Sequence, residues 1–249
     1  MKQSSTFSLV NKIKIYIGST LLLINMVISA LIVGPLILIC FACPFHVRYY
    51  IAYVWIKWVM WMVKVCCGIR FTVEGLENIN TINTAIVLSK HQSAWETLAL
   101  RVILPRQTTL LKRSLLQIPV WGWALSLLKP IAIDRTQQRA ALKMLIQQGT
   151  ACLNEGLWVV VFPEGTRTAP GETKKFNAGG AMLAEKSGYP VIPIAHNAGQ
   201  YWARNSFLKY PGVITVRIGP VIESQGKKAA EINSLASAWI AAEMLDLEA

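Results

Sequence analysis

Charged and apolar positions divide the chain into two unlike parts. From Ile15 through Phe45 no side chain carries a charge, well beyond the ~20 apolar residues that a helix needs to cross a bilayer core. A cleaved signal peptide fits poorly, because the run exceeds a usual h-region of ~7–15 residues and lacks a clear small-residue cleavage site. Gly34-Pro35 interrupts it, so a bent or re-entrant helix suits the pattern as well as a straight span. Tyr49 to Val65 is a second helical segment, with Trp55, Trp58 and Trp61 spaced three apart and broken by Lys57 and Lys64. Aromatic residues mixed with lysine suit the head-group layer better than the bilayer centre; an aromatic-rich core helix is the competing reading. Basic residues flank both ends of the first segment, so the positive-inside rule assigns no orientation. Residues 1–67 are expected to form a membrane anchor of two helices, and 68–249 a catalytic domain.

After Gly68 the period changes. Ile69 to Val73 alternates like a strand, and Ala85 to Leu88 and Leu157 to Phe162 are continuous apolar runs of buried-strand type. Thr108 to Leu111, Pro130 to Ile133, Val191 to Ala195 and Val213 to Ile218 are further strand candidates. Thr136 to Glu155, Ala178 to Lys186 and Ala229 to Leu247 have helical spacing, the first two closed by Gly156 and Gly188. Strands that alternate with helices and are apolar throughout imply an α/β fold, a mostly parallel sheet covered by helices on both faces.

Composition sharpens the membrane reading. The chain is 53% hydrophobic and only 15% charged, yet carries a net charge of +12. Such a balance calls for an anionic partner; the nine tryptophans and the absence of any zinc-finger or RNA-binding signature favour lipid head groups over nucleic acid. Five cysteines form no disulfide framework and suit a reducing compartment. Cys40-x-x-Cys43 has no second pair, and the three histidines are scattered with no His-Glu-x-x-His spacing, so no metal site is expected.

Candidate chemistry collects where the strands end. His91 follows the Ala85–Leu88 strand, and Glu96 stands five residues on, too far around a helix to share its face with His91. The two can meet only if His91 lies in the loop and Glu96 folds back from the first helical turn. Ser93 and Glu96 have capping-box spacing, so Glu96 either caps a helix or fixes one nitrogen of an imidazole whose other nitrogen takes a proton. Lys112-Arg113, Asp134-Arg135 and the turn Pro163-Glu164-Gly165-Thr166-Arg167 end other strands, and parallel strands bring such ends to one crevice. That turn can present backbone N–H groups and a bidentate Arg167 to an anion, with Glu164 holding Arg167 or binding a substrate hydroxyl. No Gly-x-x-x-x-Gly-Lys-Ser/Thr, Gly-x-Ser-x-Gly or Gly-x-Gly-x-x-Gly occurs, which disfavours P-loop, serine-hydrolase and dinucleotide chemistry.

These blocks, in this order, resemble the glycerolipid acyltransferases, in particular those acting on 1-acyl-sn-glycerol 3-phosphate. The family's His-x-x-x-x-Asp box is here His91 to Glu96. Its Ile-Asp-Arg block is Ile133-Asp134-Arg135, its Phe-Pro-Glu-Gly-Thr-Arg block is Phe162 to Arg167, and its Pro-centred apolar strand is Val191 to Ala195. Leu111 to Gly122 looks like the family's lysine-containing block. Two positions depart from the pattern: Glu96 replaces the usual Asp, and Lys90 the frequent Asn before the histidine.

The resemblance implies a glycerol-3-phosphate acyltransferase-like fold and transfer of a fatty acyl group to the sn-2 hydroxyl of 1-acyl-glycerol 3-phosphate. The donor would be acyl-CoA or acyl-carrier protein and the product phosphatidic acid, a step of phospholipid biosynthesis. His91 and Glu96 would be catalytic. Lys112, Arg167, Glu164, Gly165 and Thr166 would bind the substrate phosphate, with Asp134 and Arg135 nearby. No cofactor beyond the co-substrate and no nucleic-acid partner is implied; the expected location is a bacterial inner membrane with the catalytic domain on the cytoplasmic side. The same chemistry on another acceptor, or a non-catalytic lipid-binding role, stays open at this level.

Overall fold

The computed structural model describes residues 8–134 and 136–249. Helix α1 (Leu9–Ile39) begins where the Ser8 hydroxyl accepts the N–H of Asn11, six residues before the uncharged run. A 3-10 turn and Pro44 lead into α2 (Phe45–Cys67). That helix stops at Gly68, whose left-handed φ of +66° lets its N–H cap the Lys64 carbonyl. Then follow β1 (Ile69–Glu74), β2 (Ile86–Ser89), α3 (Trp95–Ile103), β3 (Gln107–Lys112), α4 (Trp121–Ser126), β4 (Ile131–Ile133), α5 (Gln138–Asn154), β5 (Trp158–Val161), α6 (Gly179–Ser187), β6 (Val191–His196), α7 (Ala198–Tyr201), β7 (Gly212–Ile218) and α8 (Ala229–Leu247).

The strands form one sheet in the order β1-β7-β6-β2-β5-β3-β4. Every neighbouring pair is parallel except β6–β7, so the mostly parallel α/β reading holds. Alternate side chains feed two cores. On one face Ile86, Leu88, Val159 and Val161 meet Leu145 and Leu153 of α5, Leu183 and Ala184 of α6, and Ile232 and Ala236 of α8. On the other, Val87, Val160 and Ile192 meet Ala99 and Leu100 of α3 together with Ile56, Val59, Met60 and Val63 of α2 and Leu22 of α1. Each fully buried Val or Leu is worth roughly 1.5–3 kcal/mol, so α2 is packed firmly on the sheet and not merely tethered to it.

The two N-terminal helices meet backbone to backbone: a Cβ on Gly18 would lie 2.0 Å from the Cys66 carbonyl oxygen. Further along α1, Gly34 lies against Val120 and Trp121, and the Trp55 ring of α2 sits edge-on to Trp121 at 5.3 Å. The short helix α4 was not foreseen, because Pro119 and Gly122 signal a break; Val120 takes a φ of +63° to turn the chain into it. Of the tryptophan stripe, Trp55 faces inward and donates to the Ser29 hydroxyl at 2.9 Å, whereas Trp58 and Trp61 are half exposed. Leu31 and Ile39 of α1 are 67% and 77% exposed, a large apolar surface for a helix outside lipid.

Candidate active site

Strand β2 is buried along its whole length and delivers the next residues to the carboxyl edge of the sheet. There His91 Nδ1 lies 2.8 Å from Glu96 Oε1. That oxygen also accepts the N–H of Gln92 at 3.0 Å and of Ser93 at 2.8 Å. The capping and the pairing alternatives are therefore both true at once: one carboxylate oxygen terminates the loop's backbone donors and orients the ring. The helix itself starts at Trp95, whose N–H donates to Ser93 Oγ at 3.1 Å, a turn that gives Glu96 the angle to fold back.

Glu96 is completely buried. Burial pushes its carboxyl pKa up, but the His91 hydrogen bond, the electrostatic pull of the two neighbouring imidazoles and the Ser93 N–H outweigh it and hold the pKa below the usual carboxylate range. The His91 ring stacks on Phe162, with centroids 4.1 Å apart and planes 20° apart, and the His91 carbonyl accepts the N–H of Thr168 at 2.8 Å. Among the described residues only Nδ1 of the ring is hydrogen-bonded. With Nδ1–H donated to Glu96, Nε2 is the basic nitrogen, on a ring that is partly exposed.

The turn after β5 lies beside it, since β5 pairs directly with β2. Gly165 has a φ of +71°, and a Cβ there would stand 2.9 Å from Asn177 Nδ2, so only glycine fits. Thr166 is exposed and Arg167 half-buried. Glu164 departs from expectation. It neither holds Arg167 nor faces solvent; it is 1% exposed, with Oε1 2.6 Å from Lys90 Nζ and Oε2 accepting the Thr168 hydroxyl at 3.0 Å. Lys90 Nζ also donates to Thr168 Oγ1 at 3.0 Å and to the Glu172 carbonyl at 3.2 Å. A buried carboxylate needs a cation, and Lys90, which had no assigned role, supplies it; burial raises the Glu164 pKa and Lys90 opposes the rise.

Lys112 ends β3, two strands from β2, or about 10 Å across the sheet. Asp134 follows β4, one strand further out, and its carboxylate is spent on the N–H (3.0 Å) and hydroxyl (2.8 Å) of Thr136. Those bonds, with the nearby charges of Arg113 and Lys112, lower its pKa and give its Oδ1 a turn-closing role. Arg135 lies outside the described residues.

Sequence reasoning passed over His196, although it too ends an apolar strand at this edge. It is fully buried beneath the His91 loop, with Nε2–H donating to the Lys90 carbonyl at 2.9 Å and Nδ1 accepting the Ala198 N–H at 3.3 Å. Burial depresses its pKa below the ordinary histidine value of 6.5. An unfolded histidine binds a proton near 6.5 while the folded one does not, so its stabilisation is complete above that pH. It is lost as pH falls from 6.5 toward the folded pKa, by at most about 1.4 kcal/mol per pH unit. Melting curves between pH 7.5 and 5.5 should show the wild type losing stability faster than His196→Gln; parallel curves would mean that the ring is not held neutral.

The chain's relatives bear on this geometry. A family model described as Acyltransferase matches residues 70–197, which include the His91 loop, the Glu164 turn and β6. The chain is similar to a 1-acyl-sn-glycerol-3-phosphate acyltransferase of Pseudomonas aeruginosa, 48% identical over 208 residues that span 82% of this chain and 80% of the relative. It is also similar to 1-acyl-sn-glycerol-3-phosphate acyltransferase beta of Homo sapiens, 27% identical over 72% of this chain and 66% of the relative. A crystal structure of the 1-acyl-sn-glycerophosphate (LPA) acyltransferase PlsC from Thermotoga maritima matches with a TM-score of 0.80, covering 96% of this chain and 98% of that one. At 21% identity this last likeness bears on the fold.

Proposed function

Because the chain belongs to the acyltransferase family, we propose that it moves an acyl group from a thioester donor to the sn-2 hydroxyl of 1-acyl-sn-glycerol 3-phosphate, giving phosphatidic acid. The observation that carries this reading is the 2.8 Å contact of His91 Nδ1 with a completely buried Glu96. It leaves Nε2 as a base at the edge where the Arg167 turn begins. In the proposed step Nε2 takes the hydroxyl proton as the oxygen attacks the thioester carbonyl, and Glu96 stabilises the imidazolium. The C–O bond forms, the C–S bond breaks, and the proton passes to the departing thiolate. Phe162 and Glu96 together fix the ring, so orientation is supplied before substrate arrives.

Arg167 is the candidate grip on the acceptor phosphate, with the Gly165-Thr166 turn beside it and Lys112 further along the same edge. Arg167→Ala should raise the acceptor KM about 10-fold or more, the worth of a charge-assisted contact, with kcat changed little. Steady-state kinetics with the acceptor varied check this, and an unchanged KM would remove the residue from the clamp. The reaction itself is tested by a matrix of acyl-CoA and acyl-carrier-protein donors against lysophospholipid acceptors on purified protein. Free thiol should appear with phosphatidic acid as product; lipid binding without thiol release would overturn the reading.

Lipid substrates give the N-terminal helices a purpose. Two helical segments, Leu9–Ala42 (α1 with its closing 3-10 turn) and Phe45–Cys67, are long and apolar enough to cross a membrane. The catalytic domain, however, touches α1 at Ser19, whose hydroxyl accepts the Lys209 N–H at 3.0 Å, and again at Gly34. Those two residues are about 22 Å apart along the helix. A stretch packed against the domain at both ends favours helices lying within one leaflet over a ~30 Å crossing. The net charge of +12 suits the anionic cytoplasmic leaflet of a bacterial inner membrane. Leu31→Asp with Ile39→Asp should weaken binding to anionic vesicles in a flotation assay while the melting temperature holds, because both side chains point away from the protein.

A further inference from the structure

We propose that Arg204 is a second cationic contact for the acceptor's phosphate, through which the site selects a phosphate monoester over a phosphodiester head group. The inference deepens the reading of Arg167 as the phosphate grip and rests on it.

Arg204 belongs to the loop between α7 and β7, 37 residues from Arg167 in sequence, and its Nη1 donates to the Arg167 carbonyl at 2.6 Å. The loop is shaped to bring it there. The Ser206 N–H closes a turn on the Ala203 carbonyl at 3.2 Å, and Asn205 takes the left-handed φ of +56° that this turn requires, a conformation asparagine tolerates. Five residues on, the Lys209 N–H is tied to Ser19 of α1, and the Lys209 ammonium sits 5.0 Å over the Trp202 ring. One short loop therefore links the lipid-facing helices to the phosphate turn.

Among the described residues no carboxylate lies within 4.0 Å of either arginine. Arg217, by contrast, is surrounded by Glu74, Glu243 and Asp246. One guanidinium is thus anchored on the backbone of the other arginine with no acid beside either; like charges repel, and an anion held by both turns that cost into attraction. A monoester carries a charge of about −1.5 to −2 at neutral pH and three acceptor oxygens, more than one planar guanidinium fork can satisfy. A phosphodiester carries a single charge and has less to gain from a second arginine.

The test compares purified full-length wild type with Arg204→Gln, Arg204→Lys and Arg167→Ala in mixed micelles containing one thioester donor. The acceptors are 1-acyl-glycerol 3-phosphate and 1-acyl-glycerophosphoethanolamine, the latter measured as a substrate or as a competitive inhibitor. Gln removes the charge and leaves a shorter amide donor near the Arg167 carbonyl. Arg204→Gln should raise the monoester KM about 10-fold, with the loss in KM and not in kcat. The preference for monoester over diester should fall by a similar factor, and Arg204→Lys should restore part of it. A drop in kcat shared equally by both acceptors, or an unchanged preference, would overturn the proposal and leave Arg204 as a prop for the turn. If Arg167→Ala raises the KM and Arg204→Gln does not, the phosphate grip stands without its second member. If neither does, the grip itself is misplaced.

Discussion

His91→Ala should lower kcat by about 10²–10⁴-fold, the usual worth of a general base, in a protein that still folds. Its ring is partly exposed, and its removal takes one hydrogen bond from Glu96. The carboxylate keeps the Gln92 and Ser93 N–H donors, so the stability cost should stay near 1 kcal/mol. For a domain of this size that is a fall of only about 2–4 °C in melting temperature. Thiol release measured beside a thermal melt separates the two effects. A variant within a few-fold of wild-type kcat would take His91 out of the mechanism, whatever its family.

Glu96→Gln is the second large effect, and it separates the charge of the carboxylate from the hydrogen bonds that its oxygen accepts. The amide oxygen can still accept the two backbone N–H groups. Because the same oxygen accepts His91 Nδ1 as well, an amide oxygen in its place keeps that bond too, and the NH2 group takes the position of Oε2, which is buried and has no hydrogen-bond partner among the described residues. What the amide cannot supply is the negative charge that stabilises the imidazolium formed as Nε2 takes the substrate proton. We expect kcat to fall about 10²–10⁴-fold, as when a carboxylate that orients a catalytic histidine becomes an amide, for a modest loss of stability. Glu96→Ala should instead leave two buried N–H groups unpaired, at about 1–3 kcal/mol each. A Glu96→Gln enzyme that kept its rate and lost only stability would reduce the residue to a helix cap.

What the sequence made legible was local. β-branched runs such as Val159-Val160-Val161 announce buried strands. The helical spacing of 229–247 matches α8 residue for residue. His91 and Glu96 were readable as a pair because five residues in a loop-to-helix turn can close on themselves. The contacts that the reading missed join distant segments: Lys90 with Glu164 over 74 residues, His196 with the Lys90 carbonyl over 106, Arg204 with Arg167 over 37. No period in the chain encodes such meetings; they follow from β2, β5 and β6 lying side by side in the sheet. A clue did exist at Lys90, where a lone cation right after a buried strand had to find an acid. Helix α2 misled in another way, since a stripe rich in tryptophan reads equally well as facing outward or facing a core, and this helix does both, with Trp55 turned inward and Trp58 and Trp61 half exposed.

That double duty limits how the protein can be handled. Val59 and Val63 of α2 are as inaccessible to water as any residue of the central strands, and with α3 they cover one face of the sheet. Trimming the chain at Cys67 to obtain a water-soluble catalytic fragment would strip off the α2 part of that cover and expose the valines beneath, so aggregation, not a free enzyme, is the expected product. Solubility would have to be engineered from outside, by recolouring the outward sides of the first two helices with polar residues and leaving their inner seams alone.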